Sequence, residues 1–376
     1  MKFTCTKENL AYSLGLVGGV AQKHANLPIL LNILFQARES KVELVATNLE
    51  IAVKTSFRAK IDKEGSFTIP AKTLLDYVNL LSDEQITIEL KDAENEVLIF
   101  CGSSSTKIKG SSAEDYPVIP EIEEIHGYSI AVESFKKALS QTSVATAKNE
   151  IRPELSGVYF DFFSDRYSGL TMAATDSYRL AEKKISIVQG EDKISCIVPA
   201  RAVHEIGRLL GIASQAETES TVRLWISENQ IAVRYDKFEM SGRLVSGIYP
   251  DYVQIIPENF KTTTVIPVDD LVKRIKAASL FTAVGVNAVS FDLNVDVHTV
   301  GISSTNTQTG EHSSEIDVEI SGEENSILLN HRYVLDGLQQ IDTEAVEFCV
   351  NSGDVPCLFR PKGKEGYLYV VMPIRQ

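Results

Sequence analysis

One amphipathic stretch occurs three times in the sequence, at residues 70–81, 199–210 and 330–341. Each copy follows a β-type run (67–69, 196–198, 327–329). Apolar residues fall at i, i+1, i+4 and i+7, as in Leu74, Leu75, Val78 and Leu81, and again in Val334, Leu335, Leu338 and Ile341. That spacing predicts one buried face of a helix. Pro70 and Pro199 suit a first helical position, where a missing N–H costs nothing and φ is already set. The opposite face carries a matched polar row: Lys72, Asp76 and Asn79; Arg201, Glu205 and Arg208; Arg332, Asp336 and Gln339. A second helix heads each unit, with Leu10, Leu14 and Val17 matching Phe135, Leu139 and Thr142, and then Leu271, Ile275 and Ala278. Glu8, Glu133 and Asp269 precede these helices where a carboxylate complements the helix dipole. The step between units is about 130 residues, the size of a domain rather than of a solenoid repeat.

Alternating strands lie between the helices, among them 42–46, 51–57, 157–163, 179–185, 289–295 and 314–320. More follow the second helix of each unit, at 86–90, 97–101, 221–226, 231–235, 346–350 and 367–372. The order β-α-β-β-β-α-β-β-β per unit predicts an α+β fold: three tandem domains, each with two helices packed on antiparallel sheets. Proline-rich linkers at 116–120 and 249–257 place the domains at 1–126, 127–257 and 258–376. Stretches 60–65, 303–310 and 362–366 read as plain connections.

The formal net charge of −14 argues by itself against nucleic acid. The predicted helical segments reverse that balance. Lys7, Lys23, Lys72, Lys136, Lys137, Lys148, Arg201, Arg208, Lys273, Arg274, Lys276 and Arg332 outnumber their acids, so helices gathered on one side make that side basic. The five cysteines form no C-x-x-C pair and sit mostly in strand-like runs, as buried thiols in a reducing cytoplasm do. No basic-then-apolar leader precedes Phe3, and no apolar run approaches the roughly 18 residues of a membrane span, so neither secretion nor a membrane partner is expected.

No enzyme motif is complete, and no cofactor is expected. Residues 15–19 are glycine-rich but lack the Lys-Ser/Thr of a phosphate loop. The histidines show no metal spacing. Ser104 and Lys107 match an S-x-x-K spacing in a strand-like run without the companion motifs of a serine hydrolase.

Eight stretches, taken together, resemble a known family. They are Met1-Lys2-Phe3-Thr4, Leu27-Pro28-Ile29-Leu30, Thr47-Asn48-Leu49-Glu50, Ile69-Pro70-Ala71-Lys72, Ala174 through Leu180, Val198-Pro199-Ala200-Arg201, Tyr249-Pro250-Asp251-Tyr252 and Tyr369 through Arg375. In order and spacing they resemble the bacterial DNA polymerase III beta subunit, the sliding clamp. The resemblance implies a non-catalytic processivity factor. Two chains join head to tail into a ring of six domains, helices inside, which encircles duplex DNA without regard to sequence and slides. It implies DNA-facing positions at Lys23, His24, Lys72, Lys136, Lys148, Asn149, Arg152, Arg201 and Arg332.

It also implies a pocket between the second and third domains for short peptide motifs of the replicative polymerase, clamp loader and repair proteins. Carried over by position, its wall is Leu155, Thr175, Tyr178, Arg179, Leu180, Pro250, Ile255, Tyr333, Val355, Cys357, Val370, Met372, Pro373, Ile374 and Arg375. Tyr178, Ile255, Cys357 and Ile374 depart from residues common in the family. The implied dimer contact joins Lys107 and Ile108 to a third-domain strand near 296–300, with Leu280 and Phe281 as its apolar centre. The competing readings are an acidic protein-interaction scaffold without DNA and a serine hydrolase using Ser104 and Lys107.

Overall fold

The computed structural model describes residues 1–21, 27–82, 85–91, 95–148, 151–214, 220–283 and 285–375. The first repeat runs β1 (Lys2–Thr6), α1 (Lys7–Ala21), β2 (Asn32–Arg38), β3 (Lys41–Thr47), β4 (Ile51–Arg58), β5 (Lys60–Lys63), β6 (Gly65–Pro70), α2 (Ala71–Leu80), β7 (Gln85–Lys91), β8 (Glu96–Cys101) and β9 (Ser104–Lys109). The second runs β10 (His126–Ala131), α3 (Val132–Ser143), β11 (Gly157–Ser164), β12 (Tyr167–Thr175), β13 (Arg179–Ile185), β14 (Ile194–Pro199), α4 (Ala200–Ala213), β15 (Thr221–Ile226), β16 (Gln230–Tyr235) and β17 (Phe238–Arg243). The third runs β18 (Thr262–Pro267), α5 (Val268–Ser279), β19 (Ala288–Asn294), β20 (Thr299–Asn306), β21 (Gly310–Asp317), β22 (Glu319–Gly322), β23 (Asn325–Asn330), α6 (His331–Leu338), β24 (Ala345–Val350), β25 (Cys357–Pro361) and β26 (Tyr367–Val371). Among the described residues, no helix is long and apolar enough to cross a membrane.

The α+β alternation agrees with the sequence, with four corrections. Four or five strands separate the helices of each repeat rather than three: β2–β6, β11–β14 and β19–β23, with the short strands β5 and β22 making the fifth. Residues 60–63, read as a connection, form β5. It is an edge strand paired only with β1, and so it carries charge on both faces without penalty. Residues read as loop from 303 continue β20 as far as Asn306. Pro70 stands at the N-cap of α2, one place before the expected position, as the last residue of a strand that turns straight into helix. Asn330 occupies the matching place in the third repeat, and there the side chain accepts the Arg332 backbone N–H at 3.0 Å.

The chain divides into two compact units, and the division passes through the second repeat. One unit comprises Met1–Lys136, Ile187–Asp192 and Arg201–Leu244. It holds a five-stranded sheet, β5-β1-β7-β8-β9, and an eight-stranded sheet, β10-β15-β16-β17-β4-β3-β2-β6. β17 pairs antiparallel with β4, Phe238 opposite Thr55, so one sheet spans two repeats.

The glycine run of α1 is a packing seam. A Cβ at Gly18 would stand 3.6 Å from Leu75 of α2, and one at Gly19 would stand 2.6 Å from the Arg208 guanidinium. Arg208 reaches back from α4, donates to the Gly15 and Leu16 carbonyl oxygens, and is held by Glu205. It therefore leaves the solvent-facing row to which the sequence assigned it. Gly15 has open space around its Cβ position. Gly15→Ala is expected to stabilise this unit by about 0.5–1 kcal/mol through helix propensity. Gly19→Ala is expected to destabilise it by about 1–3 kcal/mol by displacing Arg208 from its carbonyls. Urea denaturation of the two variants, followed by Trp225 fluorescence, reads the opposite signs.

The other unit comprises Lys137–Ser186, Lys193–Ala200 and Val245–Gln376. Its sheets are β14-β11-β12-β13-β26-β25-β24-β18-β22 and β21-β20-β19-β23. Here β13 pairs with β26, Arg179 opposite Val371 and Lys183 opposite Tyr367. Phe348 stacks on Phe359 at 4.5 Å, and Phe291 meets Phe348 edge-on at 5.7 Å. Cys5, Cys101, Cys349 and Cys357 are buried free thiols, while Cys196 is half-buried in β14.

Candidate peptide-binding site and basic helix faces

The turn between β12 and β13 is built by Thr175 and Asp176. The Thr175 hydroxyl donates to the Arg179 carbonyl (2.7 Å), and the backbone N–H groups of Tyr178 and Arg179 both donate to Asp176 Oδ1 (3.0 Å each). The Thr175 N–H donates to the Tyr249 hydroxyl at 3.0 Å. The first repeat makes the same turn. Thr47 bonds the Ile51 carbonyl (2.9 Å), Asn48 Oδ1 accepts from Glu50 and Ile51, and the Thr47 N–H meets the Tyr116 hydroxyl (3.2 Å). Ser177 and Leu49 take positive φ (77° and 74°) at equivalent places. The Tyr-Pro linkers are thus anchors for these turns as well as connections.

The two turns differ at their last residue. Where the first repeat has apolar Ile51, the second has Arg179, only 4% exposed. Its Nε donates to Asp176 Oδ2 (2.9 Å), and its Nη1 donates to Asp336 on α6 (2.6 Å) and to the Tyr369 hydroxyl (3.4 Å). The guanidinium lies 4.6 Å from the Tyr333 ring centre, a cation–π contact. Burial opposes the Arg179 charge, but Tyr369, Asp336 and Asp176 outweigh it and shift the group upward. Tyr178, 62% exposed, stacks on Tyr333 at 6.4 Å. The Tyr369 hydroxyl donates to the Tyr333 carbonyl at 2.9 Å.

The chain end completes the assembly. Met372 N–H donates to the Tyr178 carbonyl and Ile374 N–H to the Leu328 carbonyl, both at 2.8 Å. Leu155, Leu180 and Val370 belong to one buried cluster with Tyr249 and Tyr252, and Thr175 and Cys357 are also buried. Met372, Pro373, Ile374 and Tyr333 are half-buried, and Arg375 is exposed. Pro250 and exposed Ile255 sit on the β17–β18 connection, and half-buried Val355 on the β24–β25 connection. Asp336 and Tyr369, which fix Arg179, were not assigned to the site from sequence. Their signal is the i+3 step from Tyr333 to Asp336 and the strand alternation around Val370.

Lys72, Lys148, Arg152, Arg201 and Arg332 are exposed. Lys72 pairs with Asp76 (2.8 Å), Arg152 with Glu154 (2.9 Å) and Arg201 with Glu50 (3.5 Å). Lys136 is half-buried and pairs with Glu133 at 3.0 Å. Lys148 lies beyond the end of α3, so the basic excess on the helices is smaller than the sequence implied. Lys23, His24 and Asn149 lie outside the described residues.

One of the two edge assignments changes. β9 is a free sheet edge, as expected of the strand carrying Lys107 and Ile108. The third-repeat segment 296–300 is not an edge. Asp296 lies in a turn, and β20 is paired on both sides, between β19 and β21, with β21 at the edge beyond it. Leu280 is 74% exposed, and half-buried Phe281 stacks on His312 of β21 at 5.9 Å. Ser104 and Lys107 sit three apart on strand β9, which places them on opposite faces, and Lys107 is 3.6 Å from Glu96. That geometry cannot activate the serine through the lysine.

Three family models match in succession: the N-terminal domain of the DNA polymerase III beta subunit over residues 1–120, its central domain over 129–251 and its C-terminal domain over 253–375. The chain belongs to the DNA polymerase III beta subunit family. The beta sliding clamp of Synechococcus elongatus is 28% identical over 380 residues, covering 100% of this chain and 99% of that protein. The solved DNA polymerase sliding clamp of Bacillus subtilis matches with a TM-score of 0.92 at 26% identity, over 100% of this chain and 99% of that one. That of Thermotoga maritima, a DNA polymerase III beta subunit, matches at 0.91 and 26%, over the same shares.

Proposed function

We propose that the protein is the processivity factor of a replicative DNA polymerase, an accessory subunit rather than a catalyst. Two copies close head to tail into a ring around duplex DNA. Each chain contributes three domains, 1–126, 127–257 and 258–376. The end-to-end match to three successive beta-subunit domains carries this reading. The same matches set aside the acidic scaffold without DNA. Lys72, Lys136, Lys148, Arg152, Arg201 and Arg332, with Lys23, His24 and Asn149, are the phosphate-facing set. The assembly around Arg179, Tyr333 and Met372–Arg375 receives short peptide segments of the polymerase, clamp loader and repair proteins.

Topology, not affinity, does the holding. A protein making about 6–10 phosphate contacts loses about 10³–10⁵ in affinity between about 50 and 200 mM salt. A closed ring escapes that dependence, and ion-paired basic residues such as Lys72 and Arg152 allow it to slide. Protein loaded on a nicked circular plasmid by a clamp loader and ATP is expected to survive a high-salt wash and to leave once the plasmid is linearised. Release from linear DNA that is equally fast with blocked and open ends would overturn the ring.

The free edges β9 and β21 are the joining strands, with Leu280 and Phe281 beside them. The pure protein is expected to sediment at twice its chain mass of 41.4 kDa. Leu280→Asp puts an unpaired charge into that contact, and its expected product is a folded monomer. A dimer of undiminished stability in this variant would move the interface elsewhere.

A further inference from the structure

Three lysines from different elements converge on one carboxylate in the second unit. Lys137 of α3 and Lys364 of the β25–β26 connection both donate to the same oxygen, Asp342 Oδ2. Lys183 of β13 lies behind them, only 8% exposed, with its ammonium 3.7 Å from the Cβ position of Gly366. Its charged surroundings are Lys137, Lys364 and Asp342. The acid next to it in sequence, Glu182, points to the other face of the strand. There Tyr252 (2.7 Å), Lys184 (3.3 Å) and Arg166 (3.6 Å) already hold it.

Asp342 therefore carries one negative charge against three ammonium groups. Its carboxyl is held down at about 2: burial opposes that shift, and its bonds to Lys137 and Lys364 overcome it. Among the described residues no carboxylate pairs with Lys183. Burial first, then Lys137 and Lys364, push its amine below the usual lysine range. A buried ammonium that shares one carboxylate with two other lysines is under-compensated, and the local surplus is positive in a chain whose net charge is −14. Lys137 and Lys364 keep part of their surface open to solvent, so an anion has an approach.

We propose that Lys137, Lys183 and Lys364 form an oxyanion site that takes a phosphate group. A doubly charged phosphate offers acceptors to all three ammonium groups and cancels the surplus that Asp342 leaves. The chemistry recognised is that of a phosphate group, and the oligonucleotide arm of the test separates a free phosphate from a DNA backbone. The site stands on these side chains alone and does not depend on ring closure.

The test is calorimetric titration of the full-length protein with inorganic phosphate at constant ionic strength. One phosphate per chain is expected. Lys183→Met and Lys364→Met should each weaken it about tenfold, the loss expected of one charge-assisted hydrogen bond. Lys193→Met, at an exposed pair with Asp165 elsewhere, should leave it unchanged. If Lys183→Met fails to fold, Lys364→Met on the connecting turn carries the test. Acetylation of surface amines, read by mass spectrometry, supplies a second readout, with phosphate expected to protect Lys137 and Lys364. Absence of saturable phosphate binding, or binding that Lys364→Met does not change, overturns the site. So does protection by a short duplex oligonucleotide but not by phosphate, since that would assign the lysines to DNA.

Discussion

Arg179→Met is expected to lower the stability of the unit that contains it by about 3 kcal/mol, the lower end of the range for breaking a buried ion pair. The methionine fills much of the volume but leaves Asp176, 14% exposed, without its cation. Asp336 is 41% exposed and recovers water, which keeps the loss from being larger. The cation–π contact to Tyr333 goes with it, and the Tyr178–Tyr333 stack loses its support. Arg179→Lys should rescue little, because one ammonium cannot span two carboxylates and a phenol as a planar fork does. The only tryptophan, Trp225, belongs to the other unit, so its fluorescence transition in urea should not move. Hydrogen exchange at α6, β13 and β26 should accelerate. Unchanged exchange in those elements would show that Arg179 is not the hub the geometry makes it.

The second large effect is on binding. Met372→Ala with Ile374→Ala removes two half-buried apolar side chains but keeps the backbone hydrogen bonds to Tyr178 and Leu328. The fold should therefore survive. Each apolar anchor contributes about 1.5–3 kcal/mol when fully covered, so losing both should weaken a short polymerase-derived peptide about a hundredfold or more. Fluorescence anisotropy with a labelled peptide measures this, and primer extension on a long template should show a matching loss of processivity. Val370→Ala, at a position 1% exposed, is the contrasting variant, with its cost falling on stability. A double variant that binds peptide and supports long products normally would remove the chain-end segment from the site.

The sequence made the helix pairs legible because their burial is periodic. Leu74 and Val78, and likewise Leu271 and Ile275, face the core as their spacing requires. The strands next to them were legible for the same reason. β5 was missed because an edge strand need not alternate, and 60–63 carries charge at three of four places. Arg208 was placed on the solvent-facing row because helical spacing cannot show a neighbouring helix arriving at that face. The site split in the same way. Motif likeness named Tyr178, Arg179 and Met372, but Tyr369 meets Arg179 only through pairing of β13 with β26, and Asp336 only because α6 packs there, far away in sequence. The edge role of β21 was hidden too, since a single strand does not declare which of its sides has a neighbour.

The shared sheets also bear on how this polypeptide emerges during synthesis. β4 waits for β17, so the first module cannot finish until residue 243 has left the ribosome. β26 lies in the interior of its sheet between β13 and β25, so a nascent chain stopped short of residue 367 holds two raw strands apart. Such intermediates expose pairing edges for the duration of translation. Chaperone demand should therefore peak late in elongation rather than fall as each module appears.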